Sequence, residues 1–351
     1  MNMIMELLTE LRTLIARHAE SEAARQALPG IVLAKMHEPT EPLSYVPDPT
    51  FALVAQGAKR AVLGDRVFDY PAGKYLILGI ELPMVANVVQ ASFDEPLLGL
   101  GLTLKPFAVA SLLLESGTVG DSSARPGIAV SDAGPDLLDP IVRLLRLLDR
   151  PGEVPVLGPA IEREILWRLI MGEQGAMVRQ LGLADSRLSQ ISQAVRWIRD
   201  HHAEILRIED LARVANMSAN SFFRHFRAVT SLTPIQYQKQ IRLQEARAKL
   251  LANPGDVAAV GYAVGYDSPS QFSREYRRLF GAPPGRDAAR LLEASLGASQ
   301  TYILETTDGG STLTCANLLE RLVPGGIWAS GNDSCGRKSP VEFPGHYAAC
   351  P

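Results

Sequence analysis

Cysteine is almost missing from this sequence. The 351-residue chain has none in its first 314 residues and three in the last 37, Cys315, Cys335 and Cys350. That excludes a disulfide framework or a cysteine zinc site from the body of the protein. Long hydrophobic runs are missing too: none reaches the roughly 18 residues that a membrane helix needs. The opening "MNMIMELLTELRTLIARHAE" has helical amphipathic period, but no basic segment leads into an apolar block and no small-residue cleavage site follows. It does not read as a signal peptide, and a cytoplasmic protein is expected. No GxSxG, P-loop, or GxGxxG in a strand–helix context is present, so the common nucleophile and phosphate signatures give no enzyme reading.

What is present is ample core material: 46% of residues are hydrophobic and 21% charged, a soluble globular balance. The net charge of -3 hides an asymmetry. Residues 187–290 carry 16 Lys and Arg against 9 Asp and Glu, whereas the remainder carries 19 against 29. A basic module on an acidic body suits a polyanionic partner, although charge alone does not decide it.

Residues 1–28 read as one helix ending at "LPG". From 31 to 104, short runs rich in Val, Ile, Leu and aromatics alternate with turn residues such as Pro47-Asp48-Pro49, Gly64-Asp65 and Pro71-Ala72-Gly73. Short strands spaced this way predict an antiparallel barrel or sandwich. "KPFAVASLLLE" starts a helix and "GTVGDSSARPG" is a loop. "PDLLDPIVRLLRLLDRP" is a helix with Leu137, Ile141, Leu144, Leu145 and Leu148 on one stripe. "IEREILWRLIMGEQGAMVRQLG" is another, whose Ile161, Ile165, Trp167 and Leu169 suit packing on the sheets or pairing between subunits. "LSQISQAVRWIRDHH" puts Leu188, Ile191, Val195 and Ile198 on one face. Beyond about residue 292 no sustained period remains, and 291–351 read as a poorly structured tail of unassigned role.

A shift of 50 residues aligns "SANSFFRHFRAVTSLTP" (218–234) with "SPSQFSREYRRLFGAPP" (268–284). One supersecondary unit is used twice. A short apolar helix and a tight turn precede each copy: Ile208, Leu211, Ala212 and Ala215 before Asn216, then Val257, Val260 and Val264 before Gly265. Asn and Gly both tolerate the left-handed conformation that ends a helix. Helix, turn, helix is the resulting arrangement. Ser268-Pro269-x-Gln271 is a capping-box start with proline at the first helical position. Ser218 caps the earlier copy, and Asp256 the apolar helix before the second. The segment between, opening with Thr233-Pro234-x-Gln236, is long enough for a rigid linking helix.

At 100° per residue, Phe272, Tyr276, Leu279 and Phe280 share one side of the second helix, and Phe222, Phe226 and Val229 one side of the first. Arg274 points away from that stripe, flanked by Ser270, Gln271, Arg277 and Arg278. Arg224 does the same, flanked by Asn220, Ser221 and Arg227. A single Arg-bearing face is usually only solvated. Two equivalent ones, each behind a turn in a basic module, predict DNA binding. Arg pairs bidentately with guanine and Asn or Gln with adenine, while Ser and further Arg suit phosphates.

On "IEDLARVANMSANSFFRHFRAVT", "TPIQYQKQIRLQEARAKLL" and "VGYAVGYDSPSQFSREYRRLFGAPP", residues 190–288 resemble the DNA-binding domain of the AraC/XylS family of bacterial transcription regulators. "FALVAQGAKRAVLGDRVFDYPAGKYLI" and "ELPMVANVVQAS" resemble the AraC-type N-terminal domain of one branch. The resemblance implies an α+β chain. Residues 29–186 would form a cupin-like β-barrel with helices, binding an effector and pairing subunits. Residues 187–290 would form an all-α domain of two helix-turn-helix units joined by a linker helix. It further implies double-stranded DNA with promoter half-sites as partner, a small-molecule effector, a homodimer, RNA polymerase as a protein partner, and no cofactor. Three positions depart from the family: Ser231 and Asn216 stand where Gly is usual, and Gly261 where Ala is.

Metal-binding cupins share an HxH pair with a following Glu and a later His. Here His18 and His37 are the only histidines before the basic module, and one strand-end histidine cannot build a 2-His-1-carboxylate site. His37 reads as a rim residue and His225 as packing. His201 and His202 end a helix, facing solvent or phosphate. A metal-free interior can still hold a small organic molecule, lined by alternate residues of 31–36, 51–56 and 74–80. A cupin-type enzyme carrying a DNA-binding appendage and an architectural DNA binder are the competing readings.

Overall fold

The computed structural model describes residues 2–117, 126–184, 186–252 and 256–292. The tail read beyond residue 292 and its three cysteines lie outside the described residues, as does most of the loop after 117.

The N-terminal segment forms two helices rather than one, α1 (Asn2–His18) and α2 (Glu22–Ala27). The break follows from Ser21, whose hydroxyl accepts from the Ala24 amide and so starts a new helix. Leu8, Leu11, Leu14 and Ile15 of α1 are buried. The strands follow: β1 (Ile31–Met36), β2 (Leu43–Tyr45), β3 (Thr50–Gln56), β4 (Ala58–Leu63), β5 (Arg66–Pro71), β6 (Lys74–Leu78), β7 (Met84–Gln90) and β8 (Leu97–Thr103). After α3 (Pro106–Ser116) comes β9 (Ile128–Asp132), a short strand not foreseen in the sequence.

All strand pairs are antiparallel, in two sheets ordered β1-β8-β3-β6-β9 and β2-β7-β4-β5. The expected barrel is corrected here: the sheets are not closed into one. The larger ends at β1 and β9 and the smaller at β2 and β5, with no ladder joining them among the described residues. The inner faces look at each other. Alternation puts Lys59, Ala61 and Leu63 of β4 inside and Arg60 outside, where Arg60 pairs with Asp69 of β5 at 2.6 and 2.9 Å.

Helix α4 (Pro135–Arg146) buries Leu137, Ile141, Leu144 and Leu145 as its stripe requires, with Leu148 half-buried just beyond it. The next expected helix is also split, into α5 (Val154–Met171) and α6 (Gly175–Gly182). At Gly175 a β-carbon would lie 2.1 Å from the Ile170 carbonyl, so the chain turns only with glycine there. Ile165 and Leu169 are buried and Ile161 and Trp167 half-buried, and α5 packs on α3, α4 and α6 of its own chain.

The rest is helical: α7 (Arg187–Asp200), α8 (Ile208–Val214), α9 (Ala219–Thr230), α10 (Pro234–Ala252), α11 (Val257–Ala263) and α12 (Pro269–Phe280). The buried core does not stop where α7 begins. It runs from the sheets through Leu188, Ile198, Phe222, Phe226 and Val229 to Tyr237 and Ile241 of α10. A second, separate core holds Leu243, Ala246, Leu250, Val260, Val264, Tyr266, Phe272 and Tyr276. Helix α10 therefore belongs to one core with its first half and to the other with its second.

Candidate nucleic-acid interface

Each repeat has the turn its sequence demands. Asn216 sits at φ 51° and Gly265 at φ 89°, both left-handed. At Gly265 a β-carbon would also lie 2.4 Å from the Ala203 carbonyl oxygen. Ser218 accepts from the Ser221 amide at 3.3 Å, and Ser268 from the Gln271 amide at 3.4 Å. The reciprocal capping box forms in full at α10, where Thr233 and Gln236 exchange bonds of 2.9 and 3.2 Å. At α12 it does not: the Gln271 side chain turns to Glu275 at 3.2 Å instead.

The apolar stripes face inward. Phe222, Phe226, Phe272 and Tyr276 are all fully buried. On the opposite faces Asn220, Arg224, Arg227, Ser270, Arg274, Arg277 and Arg278 are exposed, and Ser221 and Gln271 half-exposed. The helices thus bring together Asn220, Ser221, Arg224 and Arg227 on α9, and Ser270, Gln271, Arg274, Arg277 and Arg278 on α12. Among the described residues none of these five arginines has an ion-pair or side-chain hydrogen-bond partner. Elsewhere in the chain Arg17, Arg60, Arg143, Arg146, Arg199 and Arg247 all pair with carboxylates. Unpaired guanidiniums on two equivalent faces present donors in the fork geometry that bases and phosphates accept.

Several residues of this region were not singled out in the sequence. Phe223 is 42% exposed on α9, an apolar group beside Arg224. Arg242 of α10 is half-buried and donates to four carbonyls: His202 at 2.6 Å, Gly265 at 2.6 Å, Glu204 at 2.9 Å and Ala203 at 3.3 Å. It ties the α7–α8 connection to the turn of the second unit. Burial holds its guanidinium below the ordinary value. Glu275 gathers Lys239, Tyr266 and Gln271. Burial works to raise its carboxyl, but those three bonds bring it below the usual range. In the second core, buried Asp287 accepts from Arg247 at 2.8 and 3.2 Å and from the Tyr276 hydroxyl at 2.9 Å.

The histidines serve local structure. His201 stacks on Trp197 at 4.3 Å, its ring nitrogen 2.9 Å from the Trp197 carbonyl, and His202 does likewise with the Arg199 carbonyl at 2.8 Å. His225 is half-exposed beside the core stripe. Burial, then the nearby Arg187 and Arg224, lower its pKa. His37 lies against Phe93, 5.2 Å between rings. No group of three His, Cys, Asp or Glu among the described residues could hold a metal, and no helix there is long and apolar enough to cross a membrane.

The first unit touches the sheets directly. The Gly127 amide donates to the Val229 carbonyl at 2.8 Å, near the end of α9. The turn at Gly64 lies against Ser231 and Leu232. Glu81, in the β6–β7 loop, binds Arg199 of α7, and its backbone carbonyl accepts from Tyr237 of α10. Behind this contact the two sheets enclose a cavity of about 70 Å³. Its lining includes Val32 and Ala34 of β1, Ala52, Leu53 and Val54 of β3, and Leu76 and Leu78 of β6. A cleft of about 360 Å³ lies outside the sandwich, between β5, β9 and α6.

Comparison with known proteins fits this geometry. Residues 27–177 match the family model described as "AraC-type transcriptional regulator N-terminus", and residues 211–290 match "Helix-turn-helix domain". The HTH-type transcriptional activator RhaS of Salmonella agona (strain SL483) is 30% identical over 160 residues, 43% of this chain and 56% of that protein. RhaS of Salmonella typhi is 28% identical over 159 residues, with the same coverage of 43% and 56%. The chain thus spans about half the length of the curated relatives it matches. Among solved structures, ToxT from Vibrio cholerae O395 is similar with a TM-score of 0.44 and 9% identity, covering 74% of this chain and 96% of that one. An AraC-type regulator from Chromobacterium violaceum has a TM-score of 0.28 and 27% identity, over 29% of this chain and 90% of that one.

Proposed function

The chain belongs to the AraC family of transcription regulators, with an AraC-type N-terminal domain ahead of helix-turn-helix DNA-binding units, and from that premise we propose that it regulates transcription by binding paired half-sites under the control of a small-molecule effector. The observation that carries this reading is the pair of matched outward faces on α9 and α12, each centred on an arginine with no side-chain partner among the described residues, Arg224 and Arg274.

In this reading the residues near each helix start, Asn220, Ser221 and Arg224, then Ser270, Gln271 and Arg274, meet base edges in successive major grooves. Arg227, Arg277 and Arg278 lie farther along and neutralise phosphates. Gln271 must release Glu275 to read adenine bidentately. Residues 29–186, of cupin-like descent, hold the effector between the sheets, and residues 187–290 carry the DNA contacts. The protein works in the cytoplasm as a homodimer. Like the relatives named transcriptional activators, it acts positively, through RNA polymerase. It needs no cofactor and catalyses no reaction.

A route from effector to DNA is inferred through Asp48. Asp48 lines the cavity, and burial raises its pKa, with Glu81 adding and Arg199 opposing. Glu81 and Arg199 are the pair that meets α10 at Tyr237. An occupant that shifts Asp48 changes the field at that junction, and through it the seat of the first unit.

Selection of bound fragments from random DNA tests the proposal, followed by competition against non-specific duplex at a stated salt concentration. A recurrent pair of half-sites, preferred by at least about a thousandfold, is the expected result. Binding that follows charge alone would identify an architectural DNA binder.

A further inference from the structure

The inner face of the smaller sheet carries a group that its surroundings do not satisfy. Lys59 of β4 points between the sheets and lines the cavity. Its register partner on β5 is Tyr70, so the two side chains stand side by side on the same face. Tyr45 of β2 also lines the cavity. The Tyr45 phenol is raised by burial, while Lys59 pulls it down and Tyr70 pushes it up, so all three groups lie within electrostatic reach. Among the described residues neither the Lys59 ammonium nor the hydroxyls of Tyr45 and Tyr70 has a hydrogen-bond or ion-pair partner.

The neighbouring residue sharpens the point. Arg60, one position on, faces outward and takes Asp69 in a two-bond pair. The inward cation has no such carboxylate. Lys59 is half-buried, and an ammonium partly withdrawn from water with no counter-ion carries a cost, to which a phenol hydroxyl with no acceptor adds. Three donors line one cavity, whose other polar side chains are Asp48, Thr50 and Thr103, and one acceptor group of negative charge can serve them together. A carboxylate fits, since its two oxygens can accept from all three donors.

The rest of the lining sets what the carboxylate is attached to. Val32, Ala34, Ala52, Leu76, Leu78, and Met84 present hydrocarbon. The cavity of about 70 Å³ gives roughly half a dozen water-sized positions, enough for a chain of about four to six carbons and well short of the several hundred Å³ of most ligand pockets. Asp48 is the other charged residue of the lining and disfavours a second negative charge. We propose that the cavity between the sheets binds a short monocarboxylate, its head on Lys59, Tyr45 and Tyr70 and its hydrocarbon tail between β3, β6 and β8. This rests on the effector reading above and names the chemical class of the effector.

Thermal-shift and calorimetric titration of the purified full chain with butyrate and hexanoate, beside butyramide, hexanamide and adipate, tests this. The monocarboxylates are expected to raise the unfolding midpoint in proportion to the logarithm of concentration, and the amides and the dicarboxylate to leave it unmoved. Lys59→Met is expected to abolish the shift while unfolding at an equal or higher temperature without ligand, and Lys59→Arg to retain it. Equal binding of amide and carboxylate, undiminished binding by folded Lys59→Met, or no monocarboxylate binding at all overturns the proposal. DNA affinity, measured on a site selected as above, separates the two readings. Monocarboxylate binding that leaves DNA affinity unchanged sustains the ligand and removes the effector reading. DNA affinity that responds to a different molecule, with no carboxylate bound, removes the ligand and sustains effector control.

Discussion

The hydroxyl of Tyr237 donates to the backbone carbonyl of Glu81 at 2.9 Å, across 156 residues of sequence. One partner lies in the linker helix of the DNA-binding half, the other in a loop between strands. Burial raises the phenol strongly, so it remains a donor throughout the accessible pH range. Tyr237→Phe keeps the ring in its place against Phe226 and removes only this bond. It should cost about 1–3 kcal/mol in denaturant unfolding, the penalty of a buried carbonyl left unpaired. It should also weaken the response of DNA affinity to effector. A variant with unchanged stability and unchanged response would separate this contact from signalling.

Arg242→Lys should lower DNA affinity although Arg242 lies off the outward faces. Lysine cannot reach four carbonyls in two directions as the guanidinium fork does. With hydrogen bonds to charged groups contributing about 1.5–3 kcal/mol each, the α7–α8 connection and the Gly265 turn should loosen. Binding to a two-half-site probe should fall more than binding to a single half-site. Equal losses on both probes would place the defect inside one unit.

Arg274→Ala should cost about 1–3 kcal/mol of specific binding and relax preference at one base pair. Arg277→Ala and Arg278→Ala should weaken all sequences alike and each reduce the salt dependence by about one charge. A uniform loss from Arg274→Ala would move that residue to the phosphate-contacting group.

Ser231 holds φ 58° at the end of α9 without being glycine. Ser231→Gly should stabilise the chain by about 0.5–1 kcal/mol, because the left-handed conformation costs a side-chain-bearing residue more than glycine. Denaturant midpoints decide this. No gain would show that the greater freedom of glycine in the unfolded chain offsets the relief of strain.

His225 has its pKa lowered by burial and by Arg187 and Arg224, so the folded chain binds its proton less readily than the unfolded chain. Its contribution is complete above the ordinary histidine value of 6.5 and is lost as pH falls below it. Between pH 7 and pH 5 the wild type should lose more stability than His225→Gln. Parallel curves would remove His225 as the cause.

Much of this was legible locally. The caps at Ser218, Ser268 and Thr233, the left-handed turns at Asn216 and Gly265, and the burial of Phe272 and Tyr276 all follow from residues within one or two turns of each other. Arg242 was not legible, because its acceptors are carbonyls up to 40 residues away and carbonyls carry no sequence signature. The open sheets were not legible either: alternation gives the inner face of a barrel and of a sandwich identically, and only the ladders that end at β1, β9, β2 and β5 tell them apart. The split of α5 from α6 depended on Gly175 approaching the Ile170 carbonyl. Lys59 passed unnoticed because in sequence it is one of a Lys-Arg pair, and only strand direction separates an inward cation from an outward one.

Because one core runs from the sheets into the first unit while the second unit keeps its own, the two helices proposed to read DNA are not equally free to evolve. A change in α12 is judged by its target and by a small local core. A change in α9 near Val229 is also judged by the strand end at Gly127. Drift of operator preference should therefore accumulate in the half-site read by α12, leaving the other as the conserved address.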